Sequence, residues 1–131
     1  MQGYTGNIEQ ETLENSNFRK VLYTSKYSQL VVMNLKPGEE IGAEVHETHD
    51  QFFRFEAGEG KVVLDGVEHK VKDGDAAIAR AGMNHNVINT GLEDLKLYTI
   101  YSPAEHRDGV IHATKADALA DHEEFDGKTT E

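Results

Sequence analysis

Two stretches decide the fold. The first runs Gly38-Glu-Glu-Ile-Gly-Ala-Glu44-Val-His46-Glu-Thr-His49-Asp-Gln51 and closes at Gly58. The second runs Gly74-Asp-Ala-Ala-Ile-Ala-Arg80-Ala-Gly82-Met-Asn-His85-Asn-Val-Ile-Asn89. On a strand, residues i and i+2 share a face, so Glu44 and His46 address one point. Val45 between them then points the other way, into the packing layer. Gln51 opens the next strand, with Phe53 and Phe55 alternating on its face as apolar pocket walls. His85 enters a strand behind the Gly82 loop and closes the set from the opposite sheet. The expected result is two antiparallel hairpins carrying two imidazoles, one carboxylate and one amide to a single metal site: Glu44, His46, Gln51 and His85.

The spacing resembles the cupin superfamily over roughly residues 37–101, in the manner of its small single-domain members. The first cupin motif places a Gly, five residues, His-x-His, four residues, Glu, six residues and Gly. Gly38, Glu44-x-His46, Gln51 and Gly58 match it step for step, with Glu in the first His position and Gln in the Glu position. Gly74, Arg80-x-Gly82, His85 and Asn89 match the second motif, with Arg80 in place of its Pro. The resemblance implies an all-β double-stranded β-helix, or jelly-roll barrel, and a divalent metal. One anionic ligand is retained. An oxygen- and nitrogen-rich set suits Mn first, with Fe or Ni as alternatives, better than a closed zinc site.

Composition narrows the rest. The 131 residues fit one domain with a real core. The absence of Cys excludes disulfides, thiolate metal sites and Cys nucleophiles. A net charge of −11 argues against nucleic acid and anionic membranes as partners. The N-terminus shows neither a basic start nor an apolar run, and no stretch approaches the roughly 20 apolar residues that cross a bilayer. A cytoplasmic location is expected.

Residues 1–16 read as a flexible arm, or as an edge strand ordered only by a partner chain. Residues 17–112 read as the barrel. Within them, 20–23 and 29–35 are β-branched-rich strand runs, followed by short strands near 41–46, 51–56, 61–65, 67–72, 76–79, 85–89 and 95–101. Asp65-Gly66 signals a two-residue hairpin turn. Residues 113–131 read as a short helix capped by Thr114, then a solvated acidic tail.

Three functions follow from such a barrel. The resemblance implies a metal-dependent enzyme acting on a small molecule, of dioxygenase, decarboxylase or isomerase type. Alternatively it is a non-catalytic metal-containing module that binds or senses a small ligand, or a structural barrel with a degenerate site. His49 is the nearest free titratable group and the one catalytic candidate. His106, Arg107 and His112 follow Pro103, where they are in reach of the barrel mouth and of a substrate carboxylate; their roles are open. The resemblance also implies a homodimer, with the strands of residues 18–35 available for pairing across subunits.

Overall fold

The structure is a computed structural model and describes residues 2–131. Among the described residues, ten strands form two antiparallel sheets. They are β1 (Arg19–Thr24), β2 (Gln29–Leu35), β3 (Glu44–Val45), β4 (Asp50–Ala57), β5 (Glu59–Leu64), β6 (Val67–Lys72), β7 (Ala76–Ala79), β8 (Asn84–Asn89), β9 (Leu95–Ser102) and β10 (Ile111–His112). One sheet has the order β10-β1-β2-β9-β4-β7 and the other β3-β8-β5-β6. This is the jelly-roll arrangement that the resemblance implies.

Asp65 and Gly66 both take positive φ, 47° and 82°, which makes the two-residue β5–β6 turn compatible with strand twist. Gly58 takes φ 87°, and a Cβ there would sit 2.5 Å from the Asp94 carbonyl oxygen. Only glycine meets both demands at that position.

The core lies between the sheets. Val31, Met33 and Leu35 of β2 and Leu95 and Leu97 of β9 are fully buried, as are Phe53 and Phe55 of β4. Val62 and Val87 close it from the second sheet. Pairing is continuous from Gln29↔Tyr101 to Leu35↔Leu95, and the inward rows of Gln29, Val31 and Met33 continue across β9 to Gln51, Phe53 and Phe55 of β4, beyond which a bulge shifts the register.

Three local expectations need correction. Residues 1–16 contain a helix, α1 (Ile8–Glu14), where an arm or edge strand is expected. Asn7 caps it by accepting from the Gln10 N–H, and Glu9 and Glu11 sit in its first turn, complementing the helix dipole. Lys96 on β9 donates to the carbonyl of Asn15 just beyond it, and Thr12 is buried. The helix is too short and too polar for an apolar period to announce it; only its cap is visible in the sequence.

The C-terminal helix α2 (Lys115–Ala120) does carry its Thr114 cap, closed into a capping box with Asp117. The tail beyond it, however, folds back along the barrel mouth instead of extending into solvent. Phe125 N–H bonds the Glu105 carbonyl, and Thr130 N–H bonds that of Thr24. The Glu123 side chain is only 3% exposed because the His106 imidazole and the Arg107 N–H satisfy it. The third correction is Val45, which is exposed on a two-residue edge strand and does not enter the packing layer. Among the described residues, no helix is long and apolar enough to cross a membrane.

Candidate metal centre

Glu44, His46 and His85 each offer one ligand atom, and the three atoms lie within 4.8 Å of one another. Strand pairing explains how. Glu44 stands directly opposite His85 in the β3–β8 ladder. His46 follows Glu44 by two residues, and its carbonyl accepts from the Gly82 N–H, which ties the two motifs together. Asp50 faces away from the site and holds the same loop by accepting from the Ala81 N–H.

Each imidazole is held from behind. His85 Nδ1 donates to the Met83 carbonyl at 3.1 Å, which turns Nε2 toward Gln51 Oε1, also at 3.1 Å. Gln51 is fixed in turn by donating to Thr99 Oγ1. His46 Nδ1 faces Glu105 Oε2 at 3.4 Å, and its Nε2 lies 3.0 Å from Glu44 Oε2. That last contact lacks the alignment of a hydrogen bond, so the buried His46 Nε2 has no hydrogen-bond partner. An orphaned ring nitrogen beside a carboxylate, with a second ring nitrogen facing an amide oxygen, is an arrangement that a shared cation satisfies. The residues present therefore fit a divalent metal. Gln51 borders the three-residue cluster as a neutral oxygen donor.

Burial raises the Glu44 carboxyl, but the His46 and His85 imidazoles outweigh it and hold the group below its ordinary value. Burial lowers His46, and the Glu44 and Glu105 carboxylates more than reverse this. The Tyr101 hydroxyl is pushed well up by burial and stays protonated. The Tyr101 ring meets His46 edge-on at 5.9 Å, and its hydroxyl lies 3.3 Å from His106 Nε2. Burial also lowers His106, although Glu123 acts against this.

Other expected site residues fall elsewhere. His49 is no free base: its Nε2 meets the Ala104 carbonyl at 2.8 Å, and its Nδ1 meets Thr48 Oγ1. It braces the loop that carries Glu105. Phe53 backs the His85 ring at 6.0 Å, but Phe53 and Phe55 are fully buried and present no surface to a ligand. They are core, and Phe55 lies deeper still. His106 and His112 are both engaged by acids of the tail, and Arg107 is exposed. A cleft of about 720 Å³ lies away from the centre and is lined by Lys61, Lys70 and Lys72.

Sequence reasoning missed Gln29, Tyr101 and Glu105 as parts of the site. Gln29 is buried and holds the mouth loop from both sides. It donates to the His106 carbonyl and accepts from the Glu105 and His106 N–H groups. A lone amide in phase with Val31 and Met33 on one strand face was the available signal. Glu105 carried none, because a loop brings it to His46.

A two-sheet barrel with a His/Glu cluster at one end of its interior defines the class: a small β-barrel protein equipped for a metal ion. The model of the cupin domain matches residues 31–101, more than half of the 131-residue chain, and the chain belongs to that family. It is 45% identical over 120 residues to the uncharacterized protein YrkC of Bacillus subtilis (strain 168), spanning 87% of this chain and 64% of that one. It is 44% identical over 115 residues to an uncharacterized protein of Acanthamoeba polyphaga mimivirus, spanning 84% and 71%. A crystal structure from Bacillus halodurans superposes with a TM-score of 0.90 at 41% identity, covering 92% of this chain and 96% of that one.

Proposed function

We propose that the protein is a metal-dependent enzyme acting on a small molecule at the barrel mouth, in the manner of dioxygenase, decarboxylase or isomerase cupins. One observation carries this reading: the ligand atoms of Glu44, His46 and His85 converge within 4.8 Å of one another, with His46 Nε2 lying 3.0 Å from Glu44 without an aligned hydrogen bond. Those three residues, with Gln51 as a neutral fourth, would hold the ion; Mn is favoured, then Fe or Ni. The metal would supply Lewis acidity toward a bound oxygen atom of the substrate. The chain's own groups do the rest. Glu105 and Met83 set the orientation of the two imidazoles, Phe53 and Tyr101 exclude water from their inner side, and the buried Tyr101 keeps its proton as a hydrogen-bond donor beside His106.

A second reading is a non-catalytic module that binds or senses a small ligand. It is favoured by His49, whose two ring nitrogens are both engaged and which therefore supplies no free base. The test is turnover. Protein loaded with Mn, Fe or Ni is assayed for oxygen uptake, carbon dioxide release and isomerisation across small organic acids and enediols, with metal-stripped protein as control. Metal-dependent turnover supports the enzyme. Saturable binding without turnover moves the function to the second reading. A homodimer belongs to the same proposal. Because β1 and β2 are flanked by β10 and β9, it would use a sheet face more readily than those two strand edges. Sedimentation velocity reads this directly.

A further inference from the structure

The chain has four arginines. Arg54 pairs with Glu56 at 2.9 Å, Arg80 lies 3.9 Å from Asp65, and Arg107 is exposed. Arg19 is different. It stands opposite His112 on one side and Met33 on the other, and both are buried. Directly opposed residues of antiparallel strands share a face, so Arg19 projects from the inner face of its sheet.

Its one side-chain hydrogen bond runs from Nη1 to His112 Nδ1 at 3.2 Å. Arginine only donates, so Nδ1 accepts, and the His112 proton lies on Nε2, which donates to Asp121 at 3.0 Å. Asp121 thereby orients the imidazole without touching the guanidinium. Arg19 Nε is buried with no hydrogen-bond partner. Among the described residues, the guanidinium has no carboxylate partner, in a chain of net charge −11.

A buried, unsatisfied donor on a permanent cation is expensive unless something occupies it. The field of Arg19 reaches the metal centre. Burial is the largest influence on Glu44, His46, Tyr101, His106 and Glu123, and the Arg19 charge is a smaller one on each of the five. The tail joins the two places, because Asp121 holds the Arg19 partner and Glu123 holds His106 beside Tyr101.

We infer that Arg19 is an anion anchor of the barrel interior, and that it selects a small organic carboxylate by offering its free Nε–H as one prong of a guanidinium fork. This rests on reading the mouth as a small-molecule site and adds the substrate class to it. A planar guanidinium matches a planar carboxylate in two parallel hydrogen bonds, which a lysine cannot reproduce.

The test uses ¹⁵N-labelled full-length protein, metal-stripped and again loaded with diamagnetic Zn(II), with malonate as probe. The Arg19 Nε–H resonance is identified by its absence in Arg19→Lys. It should shift saturably with malonate and not with chloride at equal ionic strength. Arg19→Gln should weaken malonate by about 10-fold or more, Arg19→Lys by less, with spectra still dispersed and metal content unchanged. A shift that merely follows ionic strength, equal malonate affinity in Arg19→Gln, or saturation by phosphate but not malonate overturns the inference. Metal content is read separately by elemental mass spectrometry. A protein that takes up no metal yet still binds malonate through Arg19 removes the metal-dependent reading and leaves the anchor standing.

Discussion

The two ends of the barrel interior are built from the same strands and have opposite chemistry. At the mouth, β2, β9, β4 and β8 contribute Gln29, Tyr101, Gln51 and His85; at the far end they contribute Leu35, Leu95, Phe55 and Val87. The alternation that sends side chains inward is identical at both ends, so backbone geometry does not distinguish them. What differs is how burial is compensated. At the far end, removal of apolar surface from water dominates, and the buried Asn89 amide is satisfied by the carbonyls of Leu35 and Glu93. At the mouth, every polar group needs a partner, and the His46 Nε2 atom, ion-paired to Glu44 without an aligned hydrogen bond, marks where a ligand belongs.

The contrast predicts that damage at the two ends should read out differently. Phe55→Ala at the closed end should lower stability by about 3–5 kcal/mol while leaving metal content per folded chain unchanged, as urea unfolding and elemental analysis would show. Equal loss of metal and stability would mean the two ends are not separable. His46→Ala at the mouth should do the reverse. Apparent metal affinity should fall by at least roughly 100-fold, with a much smaller stability change in the metal-stripped protein, measured by competition with a chelating dye.

Gly58→Ala tests the turn at the closed end. With φ 87° and a Cβ 2.5 Å from a carbonyl, it should destabilise by about 1–3 kcal/mol, read from the urea midpoint. An unchanged midpoint would show that the turn can relax.

The smallest effect sharpens the comparison by pH. In the metal-stripped protein, Glu44 is held below its ordinary 4.5, so its contribution is present above that value and lost as pH falls through the lower folded value. His46 is held above its ordinary 6.5, so its contribution is present below that value and lost as pH rises through the raised one. The pair should therefore add stability between the carboxylate and imidazole ranges. Glu44→Gln should flatten that window in urea titrations, whereas Phe55→Ala should lower the whole curve and keep its shape.

Much of this contrast was legible in the sequence. The spacing of Glu44, His46, Gln51 and His85 put four polar groups at one place because strand alternation and hairpin register are short-range rules. Phe53 and Phe55 were placed on the correct face, but their depth depends on how the second sheet covers them, which no local pattern encodes. The same limit hid Glu105, Glu123 and Arg19. Glu105 and Glu123 reach the mouth through a loop and the tail, Arg19 enters the barrel interior through a distant strand pairing, and each reads locally as an ordinary surface charge. The tail looked solvated for that reason: its acids find His106 and His112 only after the chain has folded back.

The central claim is that the mouth is a metal site. Elemental mass spectrometry of protein purified without added metal, with His85→Ala in parallel, tests it most directly. The account predicts close to one Mn, Fe or Ni per chain and its loss in the variant. No metal even after reconstitution with all three, or equal metal in the variant, would contradict it.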